Sequence, residues 1–279
     1  MAGLRELRKH LKSIKSIGQL AGAMKTVATA KYSRINSVYS AYSEYAGECK
    51  RILERFGADA AFPDRPVTEA ETAAPPCFVI FSGNRGLCGS YNTEILSLFG
   101  KKLADFPQAE VVTCGKTASL YCREKKIPVL HEFFFDDIPS FDNAKELAAF
   151  LCKRYGEGEI GSVRLFYQKF INMLTQHPHD EIFLPCGGTN TAEEDYRTIY
   201  IPDKNTVVKK TVFDCLEASL YSVLLESAAG CQAATIMAMR SAFDNSVDSA
   251  DTLETKINRI RQGEVTADVI EISYEPTKE

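Results

Sequence analysis

From Leu4 onward, apolar or small residues return every seven positions through the first 56 residues. One series reads Leu4, Leu11, Gly18, Lys25, Tyr32, Tyr39, Ala46 and Leu53; the other reads Leu7, Ile14, Ala21, Ala28, Ile35, Tyr42, Cys49 and Phe56. Only Gly18 and Lys25 interrupt the seam. A heptad kept this long predicts a coiled-coil helix over 1–60, because a globular helix has no reason to hold one stripe for so many turns. About 55 residues at 1.5 Å each make a rod of roughly 80 Å, which cannot bury its stripe on itself. The region from Asn205 to Ile272 supplies the partner, with Val212, Phe213, Leu216, Leu220, Val223 and Leu224, then Ala250, Leu253, Ile257 and Ile260 at helical spacing. Small-residue zones in both flanks, "GQLAGAMKTVATAK" and "ESAAGCQAATIMAMRSA", predict a slender antiparallel pair.

Between the flanks the period changes. Strand-like runs fall at 77–82, 109–114, 127–135 and 163–170, with a fifth at 198–202; helix-like runs fall at 91–104, 116–125 and 143–155. Such alternation predicts an α/β domain with a largely parallel sheet. Ten of the eleven prolines lie between Pro63 and Pro202 and the other is Pro276, so both flanks are free to be helical. The expected fold class is therefore α/β: a long antiparallel coiled coil of N- and C-terminal helices plus a central Rossmann-like domain. The expected boundaries are 1–60, 61–204 (with a linker at 61–76) and 205–279.

Composition narrows the function. A net charge of −4 excludes a wholesale nucleic-acid binder. Residues 1–40 nonetheless carry Arg5, Arg8, Lys9, Lys12, Lys15, Lys25, Lys31 and Arg34 against Glu6 alone, which suits an acidic or dipole-lined protein environment. No signal peptide is readable in the charged N-terminal segment, and no stretch of about 18 apolar residues is evident, so no membrane insertion is expected. Nine cysteines without a C-x-x-C pair predict reduced thiols and no disulfide framework.

Two motifs imitate phosphate loops. "SGNRGLCGSYN" (82–92) places Gly83, Gly86 and Gly89 between a strand and a helix, but the spacing is not G-x-G-x-x-G and no Lys-Ser/Thr follows. Its glycines are expected to serve the backbone, through positive φ or close approach. "TCGKTAS" (113–119) contains Gly115-Lys116-Thr117, yet the first Walker A glycine would fall on Glu110. "HPH" (177–179) reads as a surface turn, and neither the four histidines nor the cysteines offer a metal-ligand spacing or a catalytic constellation. No catalytic residue, cofactor or metal is expected. From residues alone, a coiled-coil scaffold fits as well as a mechanical subunit, and a small-molecule-binding α/β protein using the first loop stays open.

Several segments resemble the gamma subunit of F-type ATP synthase, in order and over nearly the whole chain. They are "LRELRKHLKSIKSIGQLAGAMKTVATAK", Arg85-Gly-Leu-Cys-Gly89 followed by Asn92, "QKFINMLTQHP" (168–178), "QAATIMAMRSAFDN" (232–245) and "INRIRQGEVTADVIEI" (257–272). The resemblance implies a non-catalytic central-stalk rotor that couples ion flow to ATP synthesis or hydrolysis at beta-subunit sites. The implied partners are the alpha and beta subunits, the epsilon subunit and the membrane c-ring, with no nucleic acid. It implies a peripheral place on the cytoplasmic face of the bacterial plasma membrane. Rotor–stator contacts are implied for Met24 and Lys25, for the Arg261–Gln262 pair, and for Thr266 and Glu271. The chain departs from the family pattern at Asn84, Ser90, Cys231 and Thr235. Rotary V-type central stalks also have two long helices but lack a large α/β insertion, which residues 77–202 supply.

Overall fold

The computed structural model describes residues 2–56, 74–186 and 199–274. They form two compact units: Met1–Val27 with Ile236–Glu279, and Ala28–Thr235. Two long helices, α1 (Ala2–Phe56) and α5 (Lys204–Tyr274), contribute to both.

In the smaller unit the helices are antiparallel: Lys15 pairs with Glu254, Gly18 lies against Ser246, and Lys25 sits over Phe243. The heptad reading holds along the whole of α1, since no residue of either series is exposed. Gly18 and Lys25 belong to the seam rather than interrupting it. A Cβ on Gly18 would come 2.3 Å from Ser246 Oγ, so glycine marks a point of close helix approach. The Lys25 ammonium lies 5.6 Å from the Phe243 ring centroid, where the ring quadrupole attracts it while its stem covers the seam. On α5 the matching stripe is Ile236, Met239, Ala250 and Ile257, all buried.

The larger unit is built on a five-stranded sheet in the order β3-β2-β1-β4-β5. Its strands are β1 (Pro76–Phe81), β2 (Glu110–Cys114), β3 (His131–Phe133), β4 (Ser162–Phe170) and β5 (Gln176–Leu184). The first four strands are parallel and β5 pairs antiparallel with β4. The helices α2 (Tyr91–Asp105), α3 (Lys116–Glu124) and α4 (Phe141–Gly156) make the crossovers. Right-handed crossovers put α2 and α3 on one face; the return from β3 to β4 then puts α4 on the other.

Strand alternation divides the core accordingly. Phe78, Ile80 and Phe166 pack with Ile95 and Phe99 of α2 and Ala118 and Cys122 of α3. Cys77, Val79, Phe81, Leu165 and Tyr167 pack on the opposite face with Leu147 and Leu151 of α4, Val212, Leu216 and Leu220 of α5, and Cys49 and Leu53 of α1. This part of α5 is covered on several sides, which explains why it is apolar nearly all round. One window of α5 is long and apolar enough to cross a membrane, a correction to the sequence reading, but 61% of it is buried in the protein.

Two strand expectations are corrected. "HPH" is not a turn: His177, Pro178 and His179 lie within β5, opposite Lys169, Gln168 and Tyr167. An edge strand can hold a proline because one row of its backbone groups needs no ladder partner. The strand expected at 198–202 does not form over the described residues 199–202; residue 198 lies outside them.

Candidate functional site

The carboxyl ends of the strands, at the switch point between β1 and β4, are where an open α/β sheet would hold a nucleotide. Here they are filled by protein. Gly83 approaches α5 so closely that a Cβ would lie 2.8 Å from Cys231 Sγ. The Tyr91 hydroxyl, fully enclosed, donates to the Ser227 carbonyl at 2.7 Å and lies 3.0 Å from Ser227 Oγ. A cavity of about 60 Å³ remains between Ser82, Gly83, Gly115, Asp137 and α5, whereas small-molecule sites need roughly 300 Å³ or more.

The first backbone N–H groups of α3, the donors a phosphate would seek, are also engaged. Lys116 N donates to Asn84 Oδ1 at 3.3 Å, and Ala118 N to Ser82 Oγ at 2.9 Å. The Thr117 hydroxyl donates to the Gly83 carbonyl at 2.7 Å. The first loop thus caps α3, and Thr117 ties back to that loop. The glycines divide by role as the backbone reading expects: Gly83 permits close approach, and Gly89 has φ +58°. Gly86 has open space and no positive φ, and nothing in the structure explains it. Asn92 fastens the loop, accepting from Gly83 N at 2.9 Å and donating to the Arg85 carbonyl at 3.3 Å. Asp137, beside the cavity, is desolvated but bonded to Lys31 at 2.5 Å. Burial alone would raise its pKa, but the Lys31 ammonium, the Arg85 charge and a hydrogen bond from Asn84 together hold the carboxyl below its ordinary range. Among the described residues, no group of three or more His, Cys, Asp or Glu side chains is placed to hold a metal ion.

The sequence-derived contact residues all fall in the smaller unit. Met24 and Lys25 are half-buried on α1, with Lys25 over Phe243. Arg261 and Gln262 are exposed on α5. The Thr266 hydroxyl is exposed and donates to the Gln262 carbonyl at 2.8 Å, one helical turn back. Glu271 belongs to α5, with its side chain outside the described ones. The structure does not bring these residues into one cluster. Phe243, which marks the level of Lys25, and Arg261 are eighteen positions apart on one helix, or about 27 Å. Sequence reasoning missed a further set. Ile17, Leu20 and Val27 on α1, and Val247, Val265 and Val269 on α5, are large apolar residues left exposed. Their signal was available for α1: each stands off the two heptad series.

Comparison with known proteins places this geometry. A family model described as ATP synthase matches residues 3–273. The ATP synthase gamma chain of Desulforamulus reducens is 30% identical over 226 residues, covering 80% of each chain. That of Desulforudis audaxviator is 30% identical over 242 residues, covering 81% of this chain and 82% of its own. A sodium-ion-specific ATP synthase gamma chain from Acetobacterium woodii is 29% identical over 244 residues, covering 80% and 79%. The fold is that of a chain in the rotor of Euglena gracilis mitochondrial ATP synthase, with TM-score 0.70, 17% identity and coverage of 95% and 99%. A chain from the central stalk and c-ring of Tetrahymena thermophila mitochondrial ATP synthase gives TM-score 0.62 at 20% identity, covering 80% and 99%. The chain belongs to the ATP synthase gamma-chain family.

Proposed function

We propose that this chain is the central-stalk rotor subunit of an F-type ATP synthase. It couples ion flow through a membrane ring to ATP synthesis or hydrolysis at beta-subunit sites and carries no catalytic group of its own. The observation that supports this most is the smaller unit. Its helices bury a narrow seam and leave Ile17, Leu20, Val27 and Val247 facing outward. Apolar side chains set along such a pair suit a lining that encloses it, such as a ring of alternating alpha and beta subunits. A shaft with unequal sides makes different contacts with each beta subunit, and those differences bias which conformer each one adopts. Met24, Lys25, Arg261, Gln262, Thr266 and Glu271 are assigned to that contact. Epsilon and the c-ring are the further partners, and the subunit works peripherally on the cytoplasmic face of the bacterial plasma membrane.

Affinity purification of the tagged full-length chain from cells that also express alpha, beta and epsilon subunits tests the assignment. Alpha and beta in equal amounts, each in threefold excess over this chain, are expected together with epsilon. Recovery of the chain alone, or with itself only, favours the scaffold reading and rejects the rotor.

A further inference from the structure

The small cavity between the first loop and α5 borders two side chains that lack partners. Gln232, on α5, lines it and is 9% exposed, yet its amide makes no hydrogen bond among the described residues. A buried amide in that state costs stability unless something in the adjoining space bonds it. Asp136 lines the same cavity from its exposed side and makes neither a hydrogen bond nor an ion pair among the described residues. Its neighbour Asp137 differs, being held by Lys31.

The cavity is poor in donors. The backbone N–H of Ser82 bonds the Cys114 carbonyl, that of Gly83 bonds Asn92 Oδ1, and that of Gly115 bonds the Phe133 carbonyl. The Asn84 amide nitrogen donates to the Phe135 carbonyl. An anion would find few N–H groups left to receive it. Acceptors remain: the Asp136 carboxylate, Gln232 Oε1 and the Ser227 hydroxyl oxygen. The last is an acceptor because the Tyr91 proton goes to the Ser227 carbonyl, so the Ser227 proton goes to Tyr91. Such a set suits a cation rich in donors. The remaining walls include Phe81, Phe135, Leu224 and Pro139, which are apolar. A metal ion or an ammonium group holds its water tightly, whereas a guanidinium is weakly hydrated and lays its flat face on aromatic rings. Size agrees. At about 10–15 Å³ for each water-sized unit, about 60 Å³ admits roughly four to six of them. The four heavy atoms of a guanidinium fit, with room for a water to take the Gln232 Nε2 protons.

We propose that this cavity is a binding site for a guanidinium group, carried by a small guanidino compound or by an arginine side chain of a neighbouring protein. Gln232 and Ser227 accept from its N–H groups, Asp136 balances its charge, and the aromatic walls cover its face. The site belongs to the larger unit alone and stands whether or not the rotor reading does.

The full-length chain, isotope-labelled at its glutamine amides, is titrated with methylguanidinium chloride and, as a control, with methylammonium chloride. The side-chain amide signal of Gln232, assigned by its loss in Gln232→Met, is expected to shift and saturate with a Kd of roughly 1–10 mM for methylguanidinium. Methylammonium should leave it in place. Asp136→Asn, at an exposed position that the fold does not depend on, should weaken binding about fivefold or more. N-acetyl-arginine amide separates the two sources: saturation of the same signal assigns the site to a peptide-borne arginine, and entry of methylguanidinium alone assigns it to a free compound. A Gln232 signal unmoved up to about 50 mM, an equal response to methylammonium, or full affinity in Asp136→Asn would overturn the proposal and leave the cavity to water.

Discussion

Gly115→Ala is expected to destabilise the protein by about 3 kcal/mol or more, read as a fall in the urea midpoint. Gly115 sits at φ +108°, outside the regions an L residue occupies comfortably. A Cβ there would lie 2.2 Å from the Ser82 carbonyl oxygen and 3.0 Å from its carbon. Those are backbone atoms, so no rotamer change relieves the overlap. Moving Ser82 away would stretch its N–H bond to the Cys114 carbonyl and the Ala118 bond to its hydroxyl, both 2.9 Å. Two other glycines grade the effect. Gly89→Ala meets no neighbour but keeps φ +58°, and should cost about 1 kcal/mol. Gly86→Ala meets neither obstacle and should stay within about 0.5 kcal/mol of wild type. Equal effects at Gly115 and Gly86 would show that the first loop does not constrain α3 in this way.

Arg261→Ala combined with Gln262→Ala is expected to lower ATP-driven ion pumping about fivefold or more, a coupling loss at the small end of the usual range. Both side chains are exposed in the isolated chain, so their removal should shift its unfolding by no more than about 0.5 kcal/mol. A large functional loss with unchanged stability would then report on a contact to another subunit. Lys256→Ala, also exposed on α5, is the charge-matched control and should leave pumping intact. If the double variant hydrolyses ATP and pumps as wild type does, the Arg261–Gln262 assignment fails.

The long elements were legible in the sequence because their signals repeat. The two heptad series run for eight members each, so one polar or glycine position could not hide the seam. That same reading treated Gly18 and Lys25 as faults, because a one-dimensional pattern cannot show Ser246 or Phe243 arriving from the other helix. Strands β1, β2 and β4 stood out as apolar runs buried on both faces. The polar edge strand β5, with Pro178 and two histidines, carried no such run and was missed. The glycine spacing of the first loop, G-x-x-G-x-x-G, was legible as a departure from a phosphate cradle. Why Gly83 is required could not be read locally, since the residue that crowds it is Cys231. Long-range neighbours, not local propensity, set the meaning of that loop.

Rotation itself tests the central claim most directly. The chain carrying Lys153→Cys, at an exposed position on α4, is labelled with a bead and assembled with surface-fixed alpha and beta subunits. The account predicts that ATP drives the bead round continuously in one direction, and that it stops when ATP is withdrawn. ATP hydrolysis by the assembled complex with the bead stationary would contradict it.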